Sequence, residues 1–212
     1  MFAPRSRRLP ALAGCALALL SAVALAETAA PTPAVIQALG AEQALPDVVE
    51  GRADAPATII EYASMTCSHC AAFHKDVWPE VKAKYVDAGK AKFILREFPL
   101  DPLASGAFML LRCAGPERDA VIGRLFDHQA EWAFTDKPLV HLKEQLMAAG
   151  MSESDFNACL SNQALLDKVR AMHAAASGLG VKATPTFFIN GVRLDGENGL
   201  DKFDQILAPR SH

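Results

Sequence analysis

Apolar positions change their period several times along the chain, and each change predicts an element. Residues 57–63, Ala-Thr-Ile-Ile-Glu-Tyr-Ala, follow the turn signal Asp54-Ala55-Pro56 and read as a buried strand rich in β-branched residues. Over 71–85 the spacing becomes helical, with Phe73, Val77 and Val81 on one face and Gly89 closing the turn beyond. Residues 91–98 alternate in part between apolar and polar and stop at Pro99, which predicts a second strand. Strand, helix and strand in this order form a βαβ unit.

From about 102 to 177 the pattern stays helical. Leu103, Ala107, Leu110 and Leu111 form one stripe, and Val121, Ile122, Leu125 and Phe126 another. A third helix is expected with Asp136 as its cap, Pro138 in its first turn and Gly150 at its end. Ser152 with Asp155 approximates a capping box for a short fourth. Leu165, Leu166, Val169 and Met172 carry a fifth, ending near Gly178. Strand character returns at Thr186-Phe187-Phe188-Ile189, Asn190-Gly191 marks a hairpin, and Val192-Arg193-Leu194 follows it. Residues 200–207 can form a closing helix. The expectation is one α/β domain over 51–212, a βαβ half and a ββα half separated by an all-helical insertion.

The N-terminal segment changes what composition means. Arg5, Arg7 and Arg8 precede an apolar run from Ala11 to Ala24, and Ala24-Leu25-Ala26 fits a small-x-small cleavage site. Residues 1–26 therefore read as an export signal, and the first acidic residue, Glu27, comes directly after it. A lipoprotein box at Leu12-Ala13-Gly14-Cys15 is the wrong way round, because the long apolar run follows Cys15. Ser6-Arg7-Arg8 resembles a twin-arginine signal, but Pro10 occupies its hydrophobic position. An uncleaved anchor would need a longer apolar run. Residues 27–50 read as a linker or extension, opening with Ala30-Pro31-Thr32-Pro33 and too short for a domain. Beyond residue 26 the chain holds 18 basic against 24 acidic residues, which gives no electrostatic case for nucleic acid as a partner.

Candidate chemistry centres on Cys67-Ser68-His69-Cys70, between the first strand and its helix. Cys67 falls at the helix N-terminus, where unpaired backbone N–H groups and the positive dipole end favour a thiolate. Cys70 lies one turn on, close enough to bond to it. His69 can donate hydrogen bonds or charge, so the Cys67 pKa is expected below its free value of about 8.5, in a range of about 3.5–7.5. A stable thiolate means a more oxidising disulfide. The rival readings are weaker: structural zinc wants a second close Cys/His pair, and c-type haem wants His where the chain has Ala71. A purely structural disulfide is the bland alternative. Cys113 and Cys159, on different expected helices, read as a structural disulfide, with free or regulatory thiols as the alternative. His74, His128, His141 and His173 share no spacing and read as surface or core residues. Phe108, Phe126 and Trp132 read as core, with a substrate groove as the alternative for an aromatic near the site. Pro185 opens an apolar strand; a cis peptide at a bend and an ordinary turn suit it equally.

These strings resemble the DsbA-like family of thioredoxin-fold oxidoreductases, particularly its shorter bacterial members. The resemblance runs through Ile60-Glu61-Tyr62-Ala63-Ser64, Cys67 to Cys70 and Phe73-His74. It continues through Arg96-Glu97-Phe98-Pro99-Leu100, Arg112-Cys113-Ala114, Trp132, and Thr184-Pro185 to Asn190-Gly191. It implies a thioredoxin-like fold, a cis Thr184–Pro185 bond facing Cys67 and a helical lid. It also implies that Glu61 is the family's buried acid that moves protons; a paired core carboxylate is the alternative. Ser68 departs from the proline of the best-known oxidases. With Thr184 it leaves redox potential and partner choice open.

The expectation is an exported, periplasmic thiol–disulfide oxidoreductase working through a redox-active disulfide, with no metal or other cofactor. Its partners would be reduced exported proteins and a membrane reoxidising partner. Residues 27–50 are too short for the dimerisation domain of the superfamily's isomerases, which favours a monomeric oxidase. The alternatives are a reductase or isomerase, and a binding or chaperone module with a structural disulfide.

Overall fold

Two strands that are apolar on both faces build the centre of the molecule. The computed structural model describes residues 30–195 and 199–208; the expected export signal lies outside them. The central strands are β2 (Ala57–Ala63) and β3 (Ala91–Glu97), paired in parallel from Ala57 opposite Ala91 to Ala63 opposite Glu97. A short β1 (Val49–Glu50) runs antiparallel to β3 at the edge. On the other side β4 (Thr186–Ile189) runs antiparallel to β2, and β5 (Val192–Asp195) antiparallel to β4. The order is β1-β3-β2-β4-β5. At the β4–β5 hairpin Asn190 and Gly191 both take positive φ, 50° and 82°, as a two-residue turn of the strands' own twist requires.

Alternation along each strand sorts the side chains into two cores. Ile59, Ala63, Phe93, Leu95, Phe187 and Ile189 meet the larger one, while Ile60, Tyr62, Ile94 and Phe188 meet a smaller one with Leu39, Ala176 and Val181. Covering both faces explains why Ile59 to Ala63 is buried without interruption. Glu61 shares the face of Ile59 and Ala63, so its carboxyl is carried into the larger core.

The helices are α1 (Pro33–Gly40), α2 (Ser68–Asp76), α3 (Trp78–Val81) and α10 (Leu200–Leu207) around the sheet. Between β3 and β4 come α4 (Pro102–Cys113), α5 (Arg118–Asp127), α6 (Gln129–Trp132), α7 (Pro138–Ala148), α8 (Glu153–Leu160) and α9 (Gln163–Gly178). Three details differ from the sequence reading. The helix expected over 71–85 breaks at Val77, because Pro79 has no N–H to give the preceding turn, and it ends in a wide turn over Lys82–Val86. Asp136 does not cap α7: Pro138 at the first turn puts Lys137 at the cap, with no side-chain bond. The stretch read as a linker contains α1 and β1. Thr32 caps α1 by accepting from the Val35 N–H, and Leu39 is buried in the smaller core. Asp47 in the same stretch holds the buried Arg96 side chain at 2.7 and 2.8 Å.

Candidate active site

The loop between β2 and α2 is fixed from three sides. The Cys67 N–H donates to the Ser64 carbonyl at 3.1 Å, turning the chain out of the strand. Thr66 Oγ1 donates to Asp101 Oδ2 at 2.5 Å, while Asp101 Oδ1 caps α4 by accepting from the Ala104 N–H. Buried Gln129, on α6, donates through Nε2 to the carbonyls of Met65 at 2.8 Å and Cys67 at 3.0 Å. Cys67 thus sits at the N-cap of α2 in extended backbone.

The two sulfurs differ in environment. Cys67 is 8% exposed and Cys70 not at all. Both are thiols here. The Thr184–Pro185 bond is cis, and the Thr184 carbonyl accepts from the Cys67 Sγ–H at 3.2 Å. The Cys67 pKa falls from near 9 to about 5. The main cause is the hydrogen bond that the Cys70 thiol gives the Cys67 thiolate; burial opposes it. The Thr184 hydroxyl and the backbone N–H groups of Cys70 and His69 also support the ionised sulfur. Thr184 Oγ1 has no partner in the thiol state, so it is available to the thiolate. Cys70 moves the other way. Burial pushes its thiol well above the usual range, and the Cys67 bond and the charge of Glu61 add to this.

Glu61 is fully buried; its Oε2 lies 2.8 Å from His74 Nε2, and its Oε1 has no hydrogen-bond partner. His69 supports Cys67 through its backbone N–H, as the second residue of a helix does for its N-cap, while its imidazole and Ser68 are exposed. Cys113 and Cys159 form a disulfide tying the end of α4 to α8, apart from the Cys67 loop. Among the described residues no group of three or more His, Cys, Asp or Glu is placed to hold a metal ion.

Gln129 has no place in the sequence reading, and His74 is read there only as a surface or core residue and as part of the matching string Phe73-His74. Gln129 carries no local signal, because only the tertiary fold brings α6 to the loop. His74 was legible in part: it lies four residues after Cys70, on the same side of α2.

The family model described as Thioredoxin matches residues 43–208. The crystal structure of α-DsbA1 of Wolbachia pipientis is 32% identical, with a TM-score of 0.72, covering 77% of this chain and 90% of that one. The chain belongs to the DsbA-like family of the thioredoxin superfamily. A second structural neighbour, a protein-disulfide isomerase of Novosphingobium aromaticivorans, is 26% identical with a TM-score of 0.67, covering 76% of this chain and 96% of that one. A Rickettsia conorii protein provisionally named a protein-disulfide oxidoreductase is 32% identical over 69% of this chain and 54% of its own length. The chain thus spans about half the length of the curated relatives it matches. Within the DsbA-like fold, α4 to α9 are the helical insertion beside the sheet, and Gln129 joins it to the Cys67 loop.

Proposed function

We propose that this DsbA-like chain is an exported dithiol oxidase that passes the Cys67–Cys70 disulfide to reduced client proteins. A client thiolate attacks Cys67 Sγ, forming a mixed disulfide, and the electron pair of the broken bond leaves on Cys70. A second client thiolate then attacks the client sulfur, forming the client disulfide and releasing Cys67 as a thiolate. Cys67 is the exchanging sulfur and Cys70 the resolving one. Thr184 and Pro185 border Cys67, and Glu61 serves proton movement. Cys113–Cys159 is a structural staple.

The observation that carries the direction is the low Cys67 pKa of about 5. A sulfur that ionises so readily is a good leaving group, and its stability favours the reduced enzyme over the disulfide. Export to the periplasm rests on residues 1–26, and no helix among the described residues is long and apolar enough to cross a membrane. Reoxidation falls to a membrane partner, and the chain acts as a monomer. A glutathione redox titration of Cys67–Cys70 tests the direction: the expected potential lies nearer about −120 mV than about −270 mV. A value at or below the lower figure would make the protein a reductase. Full activity of a Cys67→Ser variant would leave only a binding module.

A further inference from the structure

Cys70 has a proton problem that its neighbours at the front of the site do not solve. Each turnover leaves an electron pair on Cys70, whose environment strongly disfavours a thiolate. The sulfur has no solvent exposure. A route leads away from it. Glu61, close enough for its charge to act on Cys70, has one oxygen without a partner and the other 2.8 Å from His74 Nε2. His74 stacks on Phe126, with ring centroids 4.3 Å apart, which fixes its plane against the core. It also lines a cleft of about 440 Å³ between α2, α3 and α5 over the edge of β3. None of residues 64–70, 98–101 or 183–186 lines this cleft, so a client on the Cys67 side leaves it open.

We infer that His74 is a proton-relay residue linking Glu61, and through it Cys70, to water in the rear cleft. When the Cys67–Cys70 bond breaks, protonated Glu61 gives its proton to the Cys70 sulfur. As Nε2 of His74 passes its proton to Glu61 Oε2, the other ring nitrogen takes one from solvent acid in the cleft, and carboxyl rotation turns the restored proton toward Cys70 for the next turnover. On reoxidation the proton of the Cys70 thiol leaves by the reverse path, and the freed thiolate attacks the mixed disulfide at Cys67. One proton enters per disulfide donated and one leaves per disulfide regained. Glu61 from β2 faces the imidazole, and Lys75 on its own helix and Arg118, Asp119 and Asp127 from α5 line the same cleft. Glu50 and Lys82 lie further along the cleft.

The relay rests on exchange at Cys67, which a Cys67→Ser control tests by itself. His74→Asn keeps a side chain able to hydrogen-bond Glu61 but cannot carry the proton. The measurement is stopped-flow reaction of the full chain with a dithiol peptide, in both directions, across pH. His74→Asn is expected to slow resolution by Cys70 at least about tenfold, within the usual range for lost proton transfer. The redox potential and the Cys67 ionisation should stay as in the parent. A His74→Ala variant, which opens space at the cleft, should regain rate with added imidazole. Parent-like rates and pH profile in His74→Asn would overturn the relay while leaving exchange intact. So would a slowing that tracks a lower melting temperature or a displaced Cys67 ionisation, since either marks a structural role.

Discussion

Cys67 links chemistry to stability. In the folded protein it ionises near pH 5, and in the unfolded chain near its free value of about 8.5. Between those values the unfolded chain holds the extra proton, so the reduced protein becomes more stable as pH rises. That stabilisation is complete above about 8.5 and is lost as pH falls through about 5. Cys70 opposes this slope near the top of the window, where its unfolded thiol begins to ionise while the folded one stays protonated. The oxidised protein has no thiol at the site. Thermal melting of both forms should therefore show the reduced form gaining on the oxidised one from about pH 5 to about pH 8. A pH-independent gap would mean that the Cys70 thiol, Thr184 and the helix start do not hold the thiolate. Sequence placed Cys67 at the helix N-terminus correctly. The backbone N–H support expected at the helix start includes that of His69.

At the scale of elements, the weakest-looking helix bears on the site. The four residues of α6 escape detection by periodicity, since one turn carries no repeat. Its Gln129 nevertheless satisfies two carbonyls of the Cys67 loop. Gln129→Leu keeps the bulk but leaves both carbonyls without that donor in a buried place. It should cost about 1–3 kcal/mol in urea unfolding. Hydrogen exchange over 65–70 should accelerate in the same variant; parent-like exchange there would mean that the loop is held by Thr66 and Asp101 alone. The break between α2 and α3 belongs to this scale too. Pro79 was visible in the sequence, but an apolar stripe running past it suggested one helix. The break sets Trp78 against Phe93, with centroids 4.1 Å apart, along the wall of the rear cleft.

At the scale of the molecule, the helical insertion and the N-terminal stretch are both tied to the sheet. Cys113–Cys159 closes a loop of 46 residues, which in a chain-entropy account stabilises by about 4 kcal/mol. Replacing both cysteines with Ala should lower the unfolding free energy by about that amount in guanidinium. The alkylation rate of Cys67 should stay close to the parent's, because the staple lies away from its loop. A large loss of Cys67 reactivity would make the staple part of the redox site. At the other end, buried Arg96 bonds Asp47, the Leu39 carbonyl and the Tyr62 hydroxyl, fastening the segment before residue 51 to β2 and β3.

The sequence by itself determined the pieces whose signals are local. Continuous apolar runs bounded by turn residues gave the strands, Asn190-Gly191 the hairpin, and Cys67 to Cys70 the reactive tetrapeptide between strand and helix. Local signals suffice there because period, backbone preference and cysteine spacing are properties of neighbours. The tertiary structure alone decided which distant groups meet. It brought Gln129 under the loop, Asp47 onto Arg96, and His74 between Glu61 and the rear cleft. Those meetings depend on strand order and on the direction each strand turns its side chains. A one-residue shift in the register of β2 would turn Glu61 to the other face, away from Cys70 and His74.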